Sequence, residues 1–129
     1  MRKPLFPIAL ALLAACTTAG AAGPDSLTGK WQFVAIDGQK PVASKAELTI
    51  QEDRIGANVG CNGMGGDLQI KGGKLVIGAM VSTMMYCDGL MEQERAVSEL
   101  LSADPDYQFE QGRLMLRAGA RSAELVPAG

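Results

Sequence analysis

The sequence predicts an α+β domain, in which a mainly antiparallel, curved sheet or open β-barrel of about eight short strands packs against one helix. Three observations support this class. Short segments alternate apolar and polar residues with a period of two, glycine-containing turns separate several of them, and only one segment has the period of a helix. Strands joined by short turns pair with their chain neighbours, which gives an antiparallel sheet. The predicted strands are residues 30–36, 46–50, 54–59, 67–70, 74–77, 107–109, 113–116 and 123–126.

The first predicted strand, residues 30–36, shows the alternation most clearly. Trp31, Phe33 and Ala35 share one face of this strand, so we expect all three side chains to point into the core. Asp37-Gly38 follows the strand, and this pair is typical of a tight turn.

A glycine-dense segment follows the third strand and is predicted to be a loop. Residues 60–66 read Gly-Cys-Asn-Gly-Met-Gly-Gly. A phosphate-binding loop would end in Gly-Lys-Ser/Thr and open a helix, so a tight turn or bulge is the favoured interpretation. Asn62 can satisfy backbone groups in such a turn. Residues 71–73 predict a hairpin turn, and residues 79–85 are apolar and predicted to be extended.

Residues 88–102 form the predicted helix. Asp88 or Gly89 can cap it, and the acidic residues that follow lie near the positive end of the helix dipole. Gln93 falls on the apolar stripe of this helix, where a buried amide must find a hydrogen-bond partner. The apolar stripe consists of Leu90, Val97, Leu100 and Leu101.

The N-terminus has the organisation of a bacterial lipoprotein signal. A basic start, Arg2-Lys3, precedes an apolar run that is too short to span a bilayer. Leu13-Ala14-Ala15-Cys16 then matches the lipoprotein box, whose cysteine thiol accepts a diacylglycerol. We predict a signal peptide over residues 1–15 and lipidation of Cys16. The alternative is a plain signal peptide cut near Ala22.

The lipid would tie the protein to a membrane of the bacterial cell envelope. Thr17 follows the cysteine, in place of the aspartate that commonly retains lipoproteins in the inner membrane of enteric bacteria. We therefore expect an outer-membrane lipoprotein that faces the periplasm. Residues 16–26 are small, contain Gly and Pro, and predict a flexible tether. Residues 27–128 would then form one domain, which we expect to be monomeric.

Composition excludes several functional classes. The chain has no histidine, which removes histidine-based triads, histidine-ligated zinc and histidine pH switches. It carries 12 basic and 14 acidic residues, and loss of Arg2 and Lys3 with the signal peptide leaves an excess of four acidic residues. A weakly acidic domain without a basic tract predicts no nucleic-acid partner.

Two cysteines, Cys61 and Cys87, remain after the lipidated one. In an oxidising compartment the simplest outcome is one structural disulfide between them. A redox-active or metal-binding pair is the alternative. Cys-x-x-Cys spacing is absent, and two thiolates without histidine make a poor zinc site.

Neither catalysis nor metal binding has a convincing residue pattern. Ser82-Thr83 has no histidine base, so Lys71 or Lys74 would have to serve. Methionines near the cysteines could bind Cu(I), but methionine also fills irregular cores. We therefore predict no enzyme activity, no cofactor and no metal site. The candidate acids considered were Asp67, Asp88, Glu92 and Glu94, and the candidate copper ligands were Met64, Met80, Met84 and Met85.

A set of residues spread over most of the predicted domain forms a recognisable pattern. They are Leu27, Gly29, Trp31, Gly60-Cys61-Asn62, Gly66, Ser82-Thr83, Met85, Cys87, Leu90-Met91-Glu92-Gln93-Glu94, Tyr107, Gly112, Leu114 and Leu116. Through these residues the sequence resembles the META domain, or HslJ-like heat-shock lipoprotein, family over about residues 27–126. The sequence departs from the family pattern at Met64 and Leu68, where aromatic residues are usual, and at Tyr86, where a small residue is usual.

The resemblance implies a compact β-rich fold with one helix, similar to that of type III secretion pilotin lipoproteins. It implies no established catalytic activity. It links the chain with heat shock, with antibiotic tolerance, notably to novobiocin, and in parasites with virulence.

Two functions follow as expectations. The first is a non-catalytic envelope lipoprotein that binds a protein or an apolar segment and supports stress or antibiotic tolerance. The second is a small periplasmic inhibitor lipoprotein that acts on a hydrolase such as lysozyme or a protease, through residues 37–45 or 60–66. For the first, we expect a binding surface beside the disulfide, and its candidate residues are Asn62, Met64, Met85 and Tyr86.

Overall fold

The computed structural model describes residues 27–43 and 45–128. This part of the chain contains nine strands and one helix, and all strand pairings between them are antiparallel. The elements are β1 (Gly29–Ile36), β2 (Glu47–Ile50), β3 (Arg54–Asn58), β4 (Gly63–Lys71), β5 (Lys74–Ile77), β6 (Val81–Ser82), α1 (Met91–Ser102), β7 (Asp106–Glu110), β8 (Arg113–Ala118) and β9 (Arg121–Pro127).

Eight of the strands close into a barrel. Their order is β3-β2-β1-β9-β8-β7-β5-β4, and β4 returns to pair with β3. The ninth strand, β6, lies outside this ring and pairs with β4 through Val81 opposite Gly65 and Ser82 opposite Met64. The predicted fold class is confirmed, and the sheet is a closed barrel rather than an open one.

The barrel has one narrow seam, between β5 and β7. Only one residue pair, Lys74 opposite Asp106, is in register there. Two backbone hydrogen bonds flank it, from Leu75 N to the Pro105 carbonyl at 2.9 Å and from Tyr107 N to the Gly73 carbonyl at 3.0 Å. The other strand pairs of the ring share at least four residue pairs each, so closure of the barrel depends on a short stretch of pairing here.

The first strand departs from simple alternation because it contains a bulge. Trp31 and Phe33 point into the core as predicted. The pairing of β1 with β9 shifts register between Phe33 and Ala35, so the phase of the strand changes. Ile36 is therefore buried and Ala35 only half-buried, and the prediction that Ala35 shares the core face is wrong.

The glycine-dense segment is a strand over most of its length, which corrects the predicted loop at residues 60–66. Strand β4 begins at Gly63 rather than at Asp67. Met64 is the inward residue of this part of the strand and lies opposite Ala57 of β3. Because glycine is unfavourable in strands, the local composition predicted a loop. The segment is extended because it pairs with β3, and no local pattern of the sequence shows this pairing.

The helix packs against β1, β5, β8 and β9 and contributes buried residues to the core. It begins at Met91, three residues later than predicted. Leu90 occupies the cap position and no side chain makes a capping hydrogen bond there, so the predicted caps Asp88 and Gly89 are wrong. In place of a capping side chain, the first helical turn is positioned by the disulfide at Cys87 and by the turn that follows it.

Arg121, at the start of β9, joins the helix to the turn that follows β1. Its guanidinium donates hydrogen bonds to Glu99 Oε1 at 2.8 Å and to Asp37 Oδ2 at 2.6 Å. The bond to Glu99, and then the bond to Asp37, raise the pKa of Arg121 above its usual value, so this group stays charged. The network is exposed, and its contribution to stability is modest.

Candidate functional site

The disulfide lies between the end of β3 and the start of the helix. Cys61 and Cys87 are bridged, with their Cα atoms 5.9 Å apart, which confirms the predicted pairing. Cys61 is buried and Cys87 is half-buried. The bridge fixes the segment of residues 81–87 next to the start of β4, because one end of that segment pairs with β4 and the other is covalently tied to Cys61.

Asn62, directly after Cys61, is the centre of a hydrogen-bond network. Its side-chain oxygen accepts from Met85 N at 2.7 Å and from Thr83 Oγ1 at 2.8 Å. Its amide nitrogen donates to the Met85 carbonyl at 2.9 Å and to Glu94 Oε2 at 2.7 Å. The two bonds with Met85 reproduce the double backbone contact of paired strands, and all four capacities of the amide are used. The amide therefore holds residues 83–85 in one conformation.

Glu94 of the helix completes this network from the opposite side. Its second oxygen accepts a hydrogen bond from Asn62 N at 2.8 Å, and the residue is buried. A carboxylate removed from water needs such partners, and bonds to a charged group are stronger than neutral ones. The helix, the disulfide and the segment after β6 thus meet at one amide.

The burial of Glu94 was missed from the sequence, although a signal was present. Leu90, Val97 and Leu101 lie four residues before Glu94 and three and seven residues after it. These spacings place Glu94 within the apolar stripe of the helix. Its position in the first turn, next to Glu92, instead favoured an interpretation as an exposed acid at the helix dipole.

Gln93 is buried and hydrogen-bonded, as predicted. Its amide nitrogen donates to the Val59 carbonyl at 2.9 Å, and its oxygen accepts from Val42 N at 2.7 Å. Gln93 therefore connects the helix to the end of β3 and to the segment between β1 and β2. Together, Gln93 and Glu94 anchor the helix to two parts of the chain, the segment between β1 and β2 at Val42 and the segment between β3 and β4 at Val59 and Asn62.

The exposed apolar residues of this region form a ridge, which we define as Val81, Met84, Met85 and Tyr86. Their exposed fractions are 73%, 91%, 56% and 76%. No charged residue occurs between Lys74 and Asp88, so the ridge is uncharged along its whole length. Met85 and Tyr86, two of the four residues of the predicted surface, are exposed, and they are adjacent in the sequence.

The other two residues of the predicted surface are not exposed. Asn62 has 1% of its surface accessible and Met64 has 6%. Asn62 points into the network described above, and Met64 belongs to the barrel core. Assigning both to an exposed surface was wrong, because the strand that contains Met64 begins earlier than the glycine composition suggested. Asn62 instead supports the ridge from its buried side, through hydrogen bonds to the backbone of Met85.

Of the acidic candidates for chemistry, Glu94 is buried in the Asn62 network, whereas Asp67, Asp88 and Glu92 are exposed. Asp67 is exposed and forms an ion pair with Arg54 at 3.4 Å. The Thr83 hydroxyl is hydrogen-bonded to Asn62, and the Ser82 hydroxyl donates to the Thr83 carbonyl at 2.8 Å. Among residues 27–43 and 45–128, no group of three or more Cys, Asp or Glu side chains is placed to hold a metal ion.

The predicted lipidation site, Cys16, lies outside the residues that the structure describes. No helix within the described part of the chain is long and apolar enough to cross a membrane.

Comparison with known proteins identifies the family. The family model described as META domain matches residues 25–128. The chain belongs to the META domain family. No match is found among the curated proteins.

Two solved structures share the fold of this META domain. One is an NMR structure of a protein that is 19% identical to this chain, with a TM-score of 0.72. The matched region covers 82% of this chain and 95% of the other chain. The other is an NMR structure of a protein from Burkholderia xenovorans that is 22% identical, covers 95% of this chain and 99% of its own, and has a TM-score of 0.66. At these identities the likeness concerns the fold alone.

Proposed function

We propose that this META domain is a non-catalytic binding module of the cell envelope that presents the ridge to a protein partner. The observation that carries the proposal is the combination of exposure and rigidity. The ridge residues are apolar and mostly accessible to solvent, yet the backbone beneath them is fixed by Asn62 and by the disulfide. A segment that is already ordered loses little conformational entropy when it binds.

The envelope location rests on the N-terminal sequence. Lipidation of Cys16 would place the domain on the periplasmic face of the outer membrane, with residues 16–26 as its tether. A partner would then be a protein of the same compartment. Binding would lower or raise the activity of that partner, and support of stress or antibiotic tolerance would follow from this change.

The test is capture by crosslinking in native envelopes. We compare the wild type with the ridge variant Met84→Ser/Tyr86→Ala, and the matched control is Val42→Ser. Val42 is also an exposed apolar residue, with 70% of its surface accessible, but it lies outside the ridge. All variants should melt at the wild-type temperature, because exposed side chains contribute little to stability.

We expect the same crosslinked protein with the wild type and with Val42→Ser, and its loss with the ridge variant. The ridge variant should also fail to restore tolerance of heat or novobiocin to a deletion strain. Full complementation by the ridge variant would show that the ridge is not the working surface.

An inhibitor of a periplasmic hydrolase is the second candidate function. The predicted inhibitory loop at residues 60–66 is mostly strand, so the exposed segment beside it, which bears Tyr86, takes its place in this candidate next to residues 37–45. The Tyr86 segment is held by a disulfide, and such preorganised loops can occupy a hydrolase cleft at low entropic cost. Assays of lysozyme and of a panel of proteases, with and without the protein, test this candidate. Inhibition that is lost in Tyr86→Ala would favour it, and no inhibition of any hydrolase would remove it.

A further inference from the structure

A groove crosses the outer face of β2, β3 and β4, next to the ridge. Its volume is about 480 Å³. Its floor consists of the outward-facing glycines Gly56, Gly63 and Gly65, which alternate with buried residues along β3 and β4. Val81 of the ridge lines one side, and Glu47 of β2 lines the other.

Two of the three floor glycines could carry a Cβ without a steric clash and without an unfavourable backbone angle. A Cβ at Gly65 would lie 2.9 Å from the Ile55 carbonyl oxygen, so the fold requires glycine there. A Cβ at Gly63 would meet nothing within 4 Å, and one at Gly56 would make an ordinary contact of 3.5 Å. Neither Gly56 nor Gly63 has a positive φ.

Glycine in a strand interior is unfavourable, because the unfolded chain has more freedom and no side chain packs. A glycine inside a strand often marks a bulge, a tight bend or a place where another molecule approaches the backbone closely, and β3 and β4 pair in regular register at Gly56 and Gly63. We infer that the cause at Gly56 and Gly63 lies outside this chain. The absence of three side chains leaves a flat floor that a bulky group can lie on.

The floor selects its occupant by shape rather than by backbone hydrogen bonds. Strand β4 pairs with β3 along residues 63–67 and with β6 at Met64 and Gly65, while β3 pairs with β2 on its other edge. A flat surface of paired peptide groups suits a planar ring, as when an aromatic side chain covers a glycine on a neighbouring strand. The rim adds the Glu47 carboxylate, which has no side-chain partner among the described residues and can accept from a phenol or an indole.

We propose that this groove receives the side chain of a tyrosine or tryptophan from an extended segment of the partner protein. The proposal rests on the proposed function, because the groove continues into the ridge through Val81 and one polypeptide can cover both. The partner would place apolar side chains on the ridge and its aromatic ring on the floor formed by Gly56, Gly63 and Gly65.

The first test is NMR titration of the domain with minimal probes. N-acetyl-tryptophanamide and N-acetyl-tyrosinamide are compared with N-acetyl-leucinamide at equal millimolar concentration. We expect the aromatic probes to shift the amide signals of Gly56, Gly63 and Gly65, while Gly119, in a distant turn, stays unchanged. Equal shifts with the leucine probe, shifts elsewhere, or no shifts at these glycines would overturn the proposal.

The second test fills the floor with Gly56→Ala and Gly63→Val. A Cβ fits at both positions, and at Gly63 nothing lies within 4 Å of it, which leaves open space for the methyl groups of valine. Both variants should therefore fold and melt at or above the wild-type temperature, yet lose the response to the aromatic probes. A lower melting temperature in both would show that the glycines serve the fold, and the inference would fail.

The two proposals fail separately. If Gly63→Val still captures the partner that the ridge variant loses, the groove inference is wrong and the proposed function stands. If the glycine signals change with protein concentration and stop doing so in Tyr86→Ala, the occupant is Tyr86 of a second copy, and the proposal of a separate partner is overturned.

Discussion

Replacement of Asn62 by alanine tests whether the buried amide holds the ridge in place. The substitution removes four side-chain hydrogen bonds at once. Loss of the bond to the buried Glu94 carboxylate costs about 1.5–3 kcal/mol. The three bonds to Thr83 and Met85 are only partly buried, so the groups left behind recover some bonding from water and together add about 1.5–2 kcal/mol. We therefore expect the free energy of unfolding to fall by about 3–5 kcal/mol.

The assay is equilibrium denaturation of the unreduced domain, with thermal melting as a second measurement. For a domain of this size each kcal/mol corresponds to about 4–8 °C, so Asn62→Ala should lower the melting temperature by at least about 12 °C. Asn58→Ala is the matched control. Asn58 is exposed and accepts one hydrogen bond, from Gly60 N at 2.8 Å, so its loss should cost about 1 kcal/mol or less.

A double alanine variant of Asn62 and Glu94 measures the coupling between the two side chains. Each single alanine variant leaves polar groups of the other residue without partners, so the double variant should be less destabilised than the sum of the two by about 1–3 kcal/mol. A loss in Asn62→Ala no larger than in Asn58→Ala, or strict additivity in the double variant, would refute the role assigned to the amide.

Three further predictions concern the rest of the chain. Cys16→Ser should give an unprocessed or soluble protein on membrane fractionation, and a processed variant that stays with the membrane would disprove lipidation. Thiol alkylation of unreduced protein should label neither Cys61 nor Cys87, and reduction should lower the free energy of unfolding by about 3.5 kcal/mol, as the loop-entropy estimate gives for a separation of 26 residues. Gln93→Leu should destabilise the domain about as much as Gln93→Ala, by about 2–4 kcal/mol in chemical denaturation, because both leave the Val59 carbonyl without its donor. A neutral Gln93→Leu variant would contradict that last expectation.

Features that depend on local chemistry could be predicted from the sequence. The hairpin at residues 71–73 forms with Gly72 and Gly73 at φ 57° and 79°, as the pair of glycines indicates. The apolar stripe of the helix and the burial of Gln93 also followed from a fixed period. In each case a few adjacent residues contain the whole physical cause.

Features that depend on distant partners could not be predicted in the same way. The glycine-rich start of β4 is extended because β3 pairs with it, and the bulge in β1 follows from its register against β9. The helix period places Glu94 in the apolar stripe, but its hydrogen-bond partner, Asn62, lies 32 residues earlier in the chain and could not be predicted. Sequence patterns describe single elements, and these outcomes are properties of pairs of elements.

The pairing of β1 with β9 has a consequence for the order of events during folding. These strands are the first and the last of the described chain, and they are neighbours in the barrel. Closing so long a loop carries a large entropic cost before any contact rewards it, which slows folding. A chain that emerges from a ribosome or a translocation channel with its N-terminus first cannot close the ring until residues 121–127 have appeared. The pairing of β9 with β1 therefore sets the earliest point at which the barrel can close.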